Sequence, residues 1–268
     1  MRINTANRRA AKALAARDRA RDTGGPTSAT TGSMTDTRLP EAPAAPHPAI
    51  RSFVKRGGRI TPAQSRALVE LWPRYGIDDA GRPLDLDAVF GRNAPRTLEI
   101  GFGDGETLVA LATAHPDRDF IGIEVHAPGV GHCLLRAAAA GLANLRLMRH
   151  DAVEVLRDAF APGAVTELLI YFPDPWPKKR HHKRRLIQPE FVELLASRLA
   201  AGGRLRMATD WQPYADWIAA LFEANGSFTN AAGSEPYIRR PAARPLTKFE
   251  RRGNRLGHVT RDFEYLRR

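Results

Sequence analysis

From residue 96 onward, short apolar runs alternate with longer stretches in which apolar positions recur every three or four residues. The runs predict strands at 97–101, 120–125, 145–149, 165–171 and 204–209. The periodic stretches predict helices at 106–115, 129–141, 152–160, 186–200 and 213–225. Strands and helices alternating at this spacing mean parallel strands joined by crossover helices, so the pattern predicts a mostly parallel, doubly wound α/β sheet. The run at 165–171 carries a single charge, Glu167, and reads as a buried strand. Outside the alternation, Thr61 and Pro62 form an N-cap and first-turn pair for a helix ending near residue 71. Residues 257–266 read as a last strand with alternating Phe263 and Tyr265, reached through a basic loop at 247–253.

Before residue 51 this pattern stops. The chain is Arg/Ala-rich, then Gly/Ser/Thr-rich, then punctuated by Pro40, Pro43, Pro46 and Pro48. Such a composition buries too little apolar surface to offset the cost of ordering. Residues 1–50 are therefore expected to be a disordered or flexible basic, Pro-rich extension, and residues 51–268 one domain. Two other readings stay open: a basic helix over 2–21 that forms on a nucleic acid, and translation starting at Met34. The lone Cys133 excludes an internal disulfide and reads as a buried small hydrophobe, in keeping with a reducing compartment. No apolar run approaches the roughly 20 residues that span a bilayer, and the N-terminus lacks a secretory apolar core. A cytoplasmic protein with no membrane association is expected.

Charge changes the picture through its distribution. The net +12 is concentrated in residues 1–25 (+5), 178–185 (+6) and 239–268 (+7), which leaves the remainder net negative. Clustered Lys and Arg on an otherwise acidic body suit a polyanion. The central cluster has no interleaved apolar face, which disfavours a membrane-surface helix. Residues 51–59 read as a further basic loop whose glycines allow close approach of backbone to a ligand, or equally as a solvated entry segment.

Two segments carry candidate chemistry. Tyr171-Phe172-Pro173-Asp174-Pro175-Trp176-Pro177 runs straight into Lys178, Lys179, Arg180, His181, His182, Lys183, Arg184 and Arg185. Asp174 falls just past the carboxyl end of a buried strand, where open α/β sheets bind their ligands. The alternative is a proline-rich turn followed by a solvated basic face. The other segment is the glycine-rich turn after the first strand, with Gly101, Gly103 and Gly105. Glu106 stands where a dinucleotide fingerprint needs a small residue, and no phosphate-loop Lys follows. Glu99, Asp104 and Glu106 would repel a pyrophosphate and suit a cation, which makes S-adenosylmethionine the candidate cofactor. Glu124 closes the second strand, where a carboxylate can accept ribose hydroxyls. Asp151 is placed to face the adenine, to cap the helix that follows, or both. His181 and His182 lack the partners that a metal site needs, so no metal is expected.

These residues together resemble the bacterial tRNA (guanine-N7)-methyltransferases. The resemblance rests on Leu98-Glu99-Ile100-Gly101-Phe102-Gly103, Gly122-Ile123-Glu124-Val125-His126, the run from Pro173 to Arg185, Ala208-Thr209-Asp210-Trp211, and Thr247-Lys248-Phe249-Glu250-Arg251-Arg252-Gly253. It covers roughly residues 51–268. It implies a Rossmann-like class I S-adenosylmethionine-dependent methyltransferase that modifies a guanine in the tRNA variable loop to 7-methylguanosine. It also implies that Glu99, Gly101, Gly103, Glu124, Asp151 and Asp174 line the cofactor site, with Asp174 the catalytic residue. Lys178, Asp210, Thr247, Lys248, Phe249 and Glu250 would contact the guanine, and Arg180, His181, His182, Lys183, Arg184 and Arg185 would hold RNA. Phe172 or Trp176 is a candidate to stack on the base, with core packing the leading reading for Phe172. A cap for the following helix is the alternative for Asp210.

A nicotinamide-dependent oxidoreductase is disfavoured by the loop spacing and its acidic lining. A methyltransferase of small molecules would not need three basic clusters, and a non-catalytic RNA binder would not need Glu99, Glu124 and Asp174 together. The helix patterns fix no two-fold interface and no obligate protein partner.

Overall fold

The computed structural model describes residues 51–53, 58–78, 81–242 and 244–268. The expectations for residues 1–50, and for the middle of the basic loop at 51–59, lie outside the described residues. Residues 52–268 form one compact unit.

A capping box opens the first helix, α1 (Pro62–Glu70): Thr61 accepts from the Gln64 amide and Gln64 accepts in return from the Thr61 amide. Two short helices that the pattern did not predict follow, α2 (Trp72–Tyr75) and α3 (Leu86–Phe90). The alternating region then runs β1 (Arg96–Ile100), α4 (Glu106–Ala114), β2 (Asp119–Ile123), α5 (Ala127–Ala139), β3 (Leu145–Met148), α6 (Ala152–Ala159) and β4 (Val165–Tyr171). After a 3-10 turn at Lys179–Arg184 come α7 (Pro189–Arg198), β5 (Leu199–Thr209), α8 (Gln212–Ala224), β6 (Phe228–Asn230), α9 (Lys248–Arg255) and β7 (Arg261–Arg267).

Among the described residues the strands form one sheet in the order β3-β2-β1-β4-β5-β7-β6. The first five are parallel, while β7 runs antiparallel to both β5 and β6. The expected doubly wound sheet is present with a mixed edge added. Alternation along the strands divides the core between the two faces. Leu98, Ile100, Ile121, Ile123, Leu168, Ile170, Leu205 and Met207 join α6, α7 and α8 on one side. Phe120, Leu145 and Leu147 join α1, α4 and α5 on the other. At the mixed edge, Tyr265 of β7 stacks on Phe222 of α8 with centroids 4.1 Å apart, fastening the antiparallel strands to the parallel body.

The last strand, expected over 257–266, begins only at Arg261, and three other stretches also depart from the sequence expectation. The helix expected over 186–200 begins only at Pro189, because the preceding basic run takes up a 3-10 turn and a proline at the first helical position fixes the start. The strand expected at 204–209 begins at Leu199, before a register shift in its pairing with β4. The basic stretch at 247–253, expected as a loop, is α9, capped by the Thr247 hydroxyl accepting from the Glu250 amide at 3.2 Å.

Candidate active site

Strand β1 has β2 on one side and β4 on the other, so successive connections leave in opposite directions at their carboxyl ends. A crevice forms at such a switch point. Here it is a cleft of about 460 Å³ lined by residues from the ends of β1, β2, β3 and β4 and from the start of α9. Glu99, Gly101, Gly103, Glu124, Asp151, Asp174, Thr247 and Phe249 all face it.

Backbone amides organise the acidic half. The turn after β1 has left-handed backbone at Gly101, Gly103 and Gly105. A β-carbon at Gly105 would also stand 2.3 Å from Sγ of Cys133, so this glycine is fixed by conformation and by room. Glu124 ties the turn down: Oε2 accepts from the Gly103 amide at 2.9 Å, and Oε1 accepts from Val125 and His126 at 2.7 and 2.9 Å. Oε2 keeps a lone pair for a further donor. Asp151 caps α6 by accepting from the Val153 amide at 3.0 Å while also lining the cleft, so both of its expected roles fit one position.

Glu99 differs from its neighbours. It is buried, and its Oε2 has no hydrogen-bond partner. Burial, then the charges of Glu124 and Asp104, push its carboxyl up to about 8. A buried carboxyl beside two other acids, opening onto a cleft, is built to meet a cation.

The loop after β4 is held by strain and by arginine. Phe172 and Trp176, on either side of Asp174, are the described non-glycine residues with positive φ, at 53° and 44°. Such backbone costs on the order of 1–3 kcal/mol per residue and persists only where surrounding contacts impose it. Those contacts are present. The Phe172 amide donates to the Ala208 carbonyl at 2.8 Å. The Arg185 Nε donates to the Pro175 carbonyl at 2.9 Å, with its guanidinium over Tyr214. The Trp176 indole N–H donates to the Ser52 carbonyl at 3.0 Å, and the Arg184 guanidinium lies over its ring. Trp176 is thus built into the loop, whereas Phe172 is half-buried and lines the cleft. Arg185 is itself buried, and its Nε serves the motif loop. Lys178, Lys179, Arg180 and Lys183 are exposed, and His181, His182 and Arg184 are partly so.

The segment from Arg240 to Asp262 closes the other side. Arg244 is buried and donates to both oxygens of Glu250 at 2.7 and 2.8 Å and to Asp262 at 3.1 Å, while Arg240 donates to Glu250 at 3.0 Å. Burial alone would raise Glu250, but these guanidiniums outweigh it and hold its carboxyl below the usual range. Both Glu250 oxygens thus accept from the buried Arg244, and Oε1 accepts also from the exposed Arg240. Arg251 reaches Glu106 at 3.1 Å and ties α9 to the start of α4. Asp210 follows β5 outside the cleft lining and pairs with His258 at 3.1 Å. It does not cap α8, whose N-cap residue, Trp211, has no side-chain cap; the Thr209 hydroxyl accepts from the Trp211 amide at 3.3 Å. Lys178 likewise lies outside the cleft lining, and Lys248 begins α9. Arg244 and His258 were not singled out from sequence, since single polar residues in irregular segments carry no periodic signal; Ser52, Phe53 and His126, which line the cleft, stood within segments noted there without a role of their own.

Comparison with known proteins agrees with this layout. A family model described as "Putative methyltransferase" matches residues 93–263. The tRNA (guanine-N(7)-)-methyltransferase of Leifsonia xyli subsp. xyli is 58% identical over 215 residues, 80% of this chain and 94% of that protein. The enzyme of that name from Halorhodospira halophila is 55% identical over 80% of this chain and 94% of its own length. That of Sodalis glossinidius is 55% identical over 81% and 90%. With a cleft of this composition at the switch point and this identity over most of its length, the chain belongs to the tRNA (guanine-N(7)-)-methyltransferase family.

Proposed function

We propose that this protein methylates N7 of a guanine in the variable loop of tRNA, using S-adenosylmethionine. The observation that carries the reading is the pairing, in one cleft, of a buried carboxyl bearing an unpartnered oxygen, Glu99 Oε2, with an exposed carboxylate, Asp174, on a strained loop that leads into a basic turn. When bound, the cofactor supplies a methyl group activated on a positively charged sulfonium. Glu99 fits the ligand's ammonium, the free lone pair of Glu124 Oε2 fits a ribose hydroxyl, and the amides of the glycine turn allow close approach.

Guanine N7 carries a lone pair and no proton, so the nucleophile needs no general base. What remains for the protein is alignment and management of charge. Asp174 accepts hydrogen bonds from the N1–H and amino group on the far edge of the base, with Asp210 as second acceptor. A carboxylate there also favours the positive charge that grows on the purine as N7 is alkylated. Phe172 and Phe249, both at the cleft, supply apolar faces for the base; such stacking is worth about 1–3 kcal/mol per base in single-strand binders. Lys178, Lys179, Arg180 and Lys183 hold phosphates beside the mouth. Among the described residues no helix is long and apolar enough to cross a membrane, and the reading places the protein in the cytoplasm with tRNA.

The test is transfer of labelled methyl to an unmodified tRNA transcript, followed by mapping of the modified base. Label at N7 of a variable-loop guanine is expected. Binding of both cofactor and tRNA with no transfer, or label on another atom, would overturn the reading. Binding to tRNA is expected to weaken with salt at a log-log slope of about 0.7–0.9 per phosphate neutralised.

A further inference from the structure

The Asp210 carboxylate, just past β5 and outside the cleft lining, is held from two sides. Nδ1 of His258 lies 3.1 Å from Oδ2 of Asp210. A carboxylate only accepts, so Nδ1 carries the hydrogen and donates it. Gly253 closes in on the same oxygen: a β-carbon built there would stand 2.9 Å from Oδ2 and 3.6 Å from Cβ of His258. His258 is fixed in turn, since its backbone N–H donates to the Gly253 carbonyl at 3.0 Å just after the left-handed Gly257. One donor and one tight fit therefore act on the same atom, and they come from different residues.

This slot is not remote from the base-binding loop. Asp210 directly follows β5, and the Phe172 amide is bonded to Ala208 two residues earlier, so the end of β5 lies beside the start of the loop that carries Asp174. Gly253 belongs to α9, whose first turn brings Phe249 to the cleft. An aspartate free to rotate would lose side-chain freedom on meeting a base, and pinning Oδ2 moves that loss into folding. We propose that His258 is a positioning residue, which fixes Asp210 through Oδ2 in the space left by Gly253 and so presents Oδ1 to the guanine edge. The proposal rests on Asp210 as a contact of the base.

Steady-state methyl transfer to an unmodified tRNA transcript tests it in the full-length protein, with cofactor affinity and thermal melting measured alongside. His258→Ala is expected to lower kcat/KM for tRNA about tenfold, mainly through KM, with cofactor affinity unchanged. His258→Asn, whose amide nitrogen can take the place of Nδ1, is expected to recover most of that loss. Gly253→Ala keeps both partners but displaces Oδ2, and is expected to cause a similar loss without lowering the melting temperature, since Ala favours helix. In an Asp210→Asn background, His258→Ala is expected to add little. Equal losses in His258→Ala and His258→Asn, or wild-type kinetics in His258→Ala while Asp210→Asn is impaired, would overturn the positioning role alone. Wild-type kinetics in Asp210→Asn would overturn the base contact and the proposal with it.

Discussion

The two walls of the cleft hold their carboxylates by different means. On the wall built by β1, β2 and β3, Glu124 and Asp151 are fixed by backbone amides within a few residues of themselves. On the wall built after β4 and before β7, order comes from arginines reaching across the fold: Arg185 to Pro175, Arg244 to Glu250 and Asp262, Arg251 to Glu106. Any substitution other than proline leaves those amides in place, so the first wall is a fixed mould. The second can be dismantled one side chain at a time, and in the proposed reading it faces the larger substrate.

The largest expected effect is at the arginine hub. Arg244→Met leaves Glu250 and Asp262 buried without their shared partner, and removing one member of such a cluster costs about 3–5 kcal/mol. Urea denaturation measures that loss. A stability loss below about 1 kcal/mol would mean that the arginines do not hold the second wall. Arg185→Ala frees the Pro175 carbonyl and is expected to cost about 1–3 kcal/mol and to impair methyl transfer while leaving cofactor binding in place. Equal loss of cofactor binding would erase the distinction between the walls.

The first wall is sharpened by pH. Burial and neighbouring acids hold the Glu99 proton up to about 8, so below that pH a cationic ligand must displace it. Cofactor affinity should rise by up to about tenfold per pH unit toward pH 8 and then level, with about one proton released per ligand bound. The same shift acts on stability with the opposite trend. The unfolded chain loses this proton near 4.5 and the folded chain near 8, so the Glu99 contribution is full at low pH and declines between those values. Glu99→Gln should flatten both profiles in calorimetry across pH, and an unchanged affinity profile in that variant would place the proton elsewhere. The smallest effect is expected at Arg251→Ala, whose bridge to Glu106 is solvent-exposed and worth at most about 1 kcal/mol by denaturation.

The same contrast explains what was legible in the sequence. The amide-built wall follows local grammar: apolar runs ending in Glu99 and Glu124, glycines in the turn between, and Asp151 ahead of an amphipathic helix. Each signal lies within a few residues of its consequence. The arginine-built wall depends on long-range pairing, and an arginine in a polar run reads as solvated whether or not it is buried. The sequence assigned Arg185 and Glu250 to RNA and to guanine, and left unmarked that each also braces the fold from within. Helix α9 has no apolar periodicity, yet Thr247 three residues before Glu250 is a helix-start signal that marks it. The short strand β6 and the antiparallel direction of β7 had no such local mark, since alternation at Phe263 and Tyr265 shows a strand without its partner.

The central claim is that Asp174 serves the base while the opposite wall holds the cofactor. It is tested most directly by measuring N7 methylation of unmodified tRNA and cofactor affinity side by side in wild type and Asp174→Ala. The account predicts methylation lowered by at least about a hundredfold, the loss of roughly 2.7 kcal/mol of transition-state stabilisation, with cofactor affinity within a few-fold of wild type. Methylation near the wild-type rate, or a loss matched by an equal loss of cofactor affinity, would contradict it.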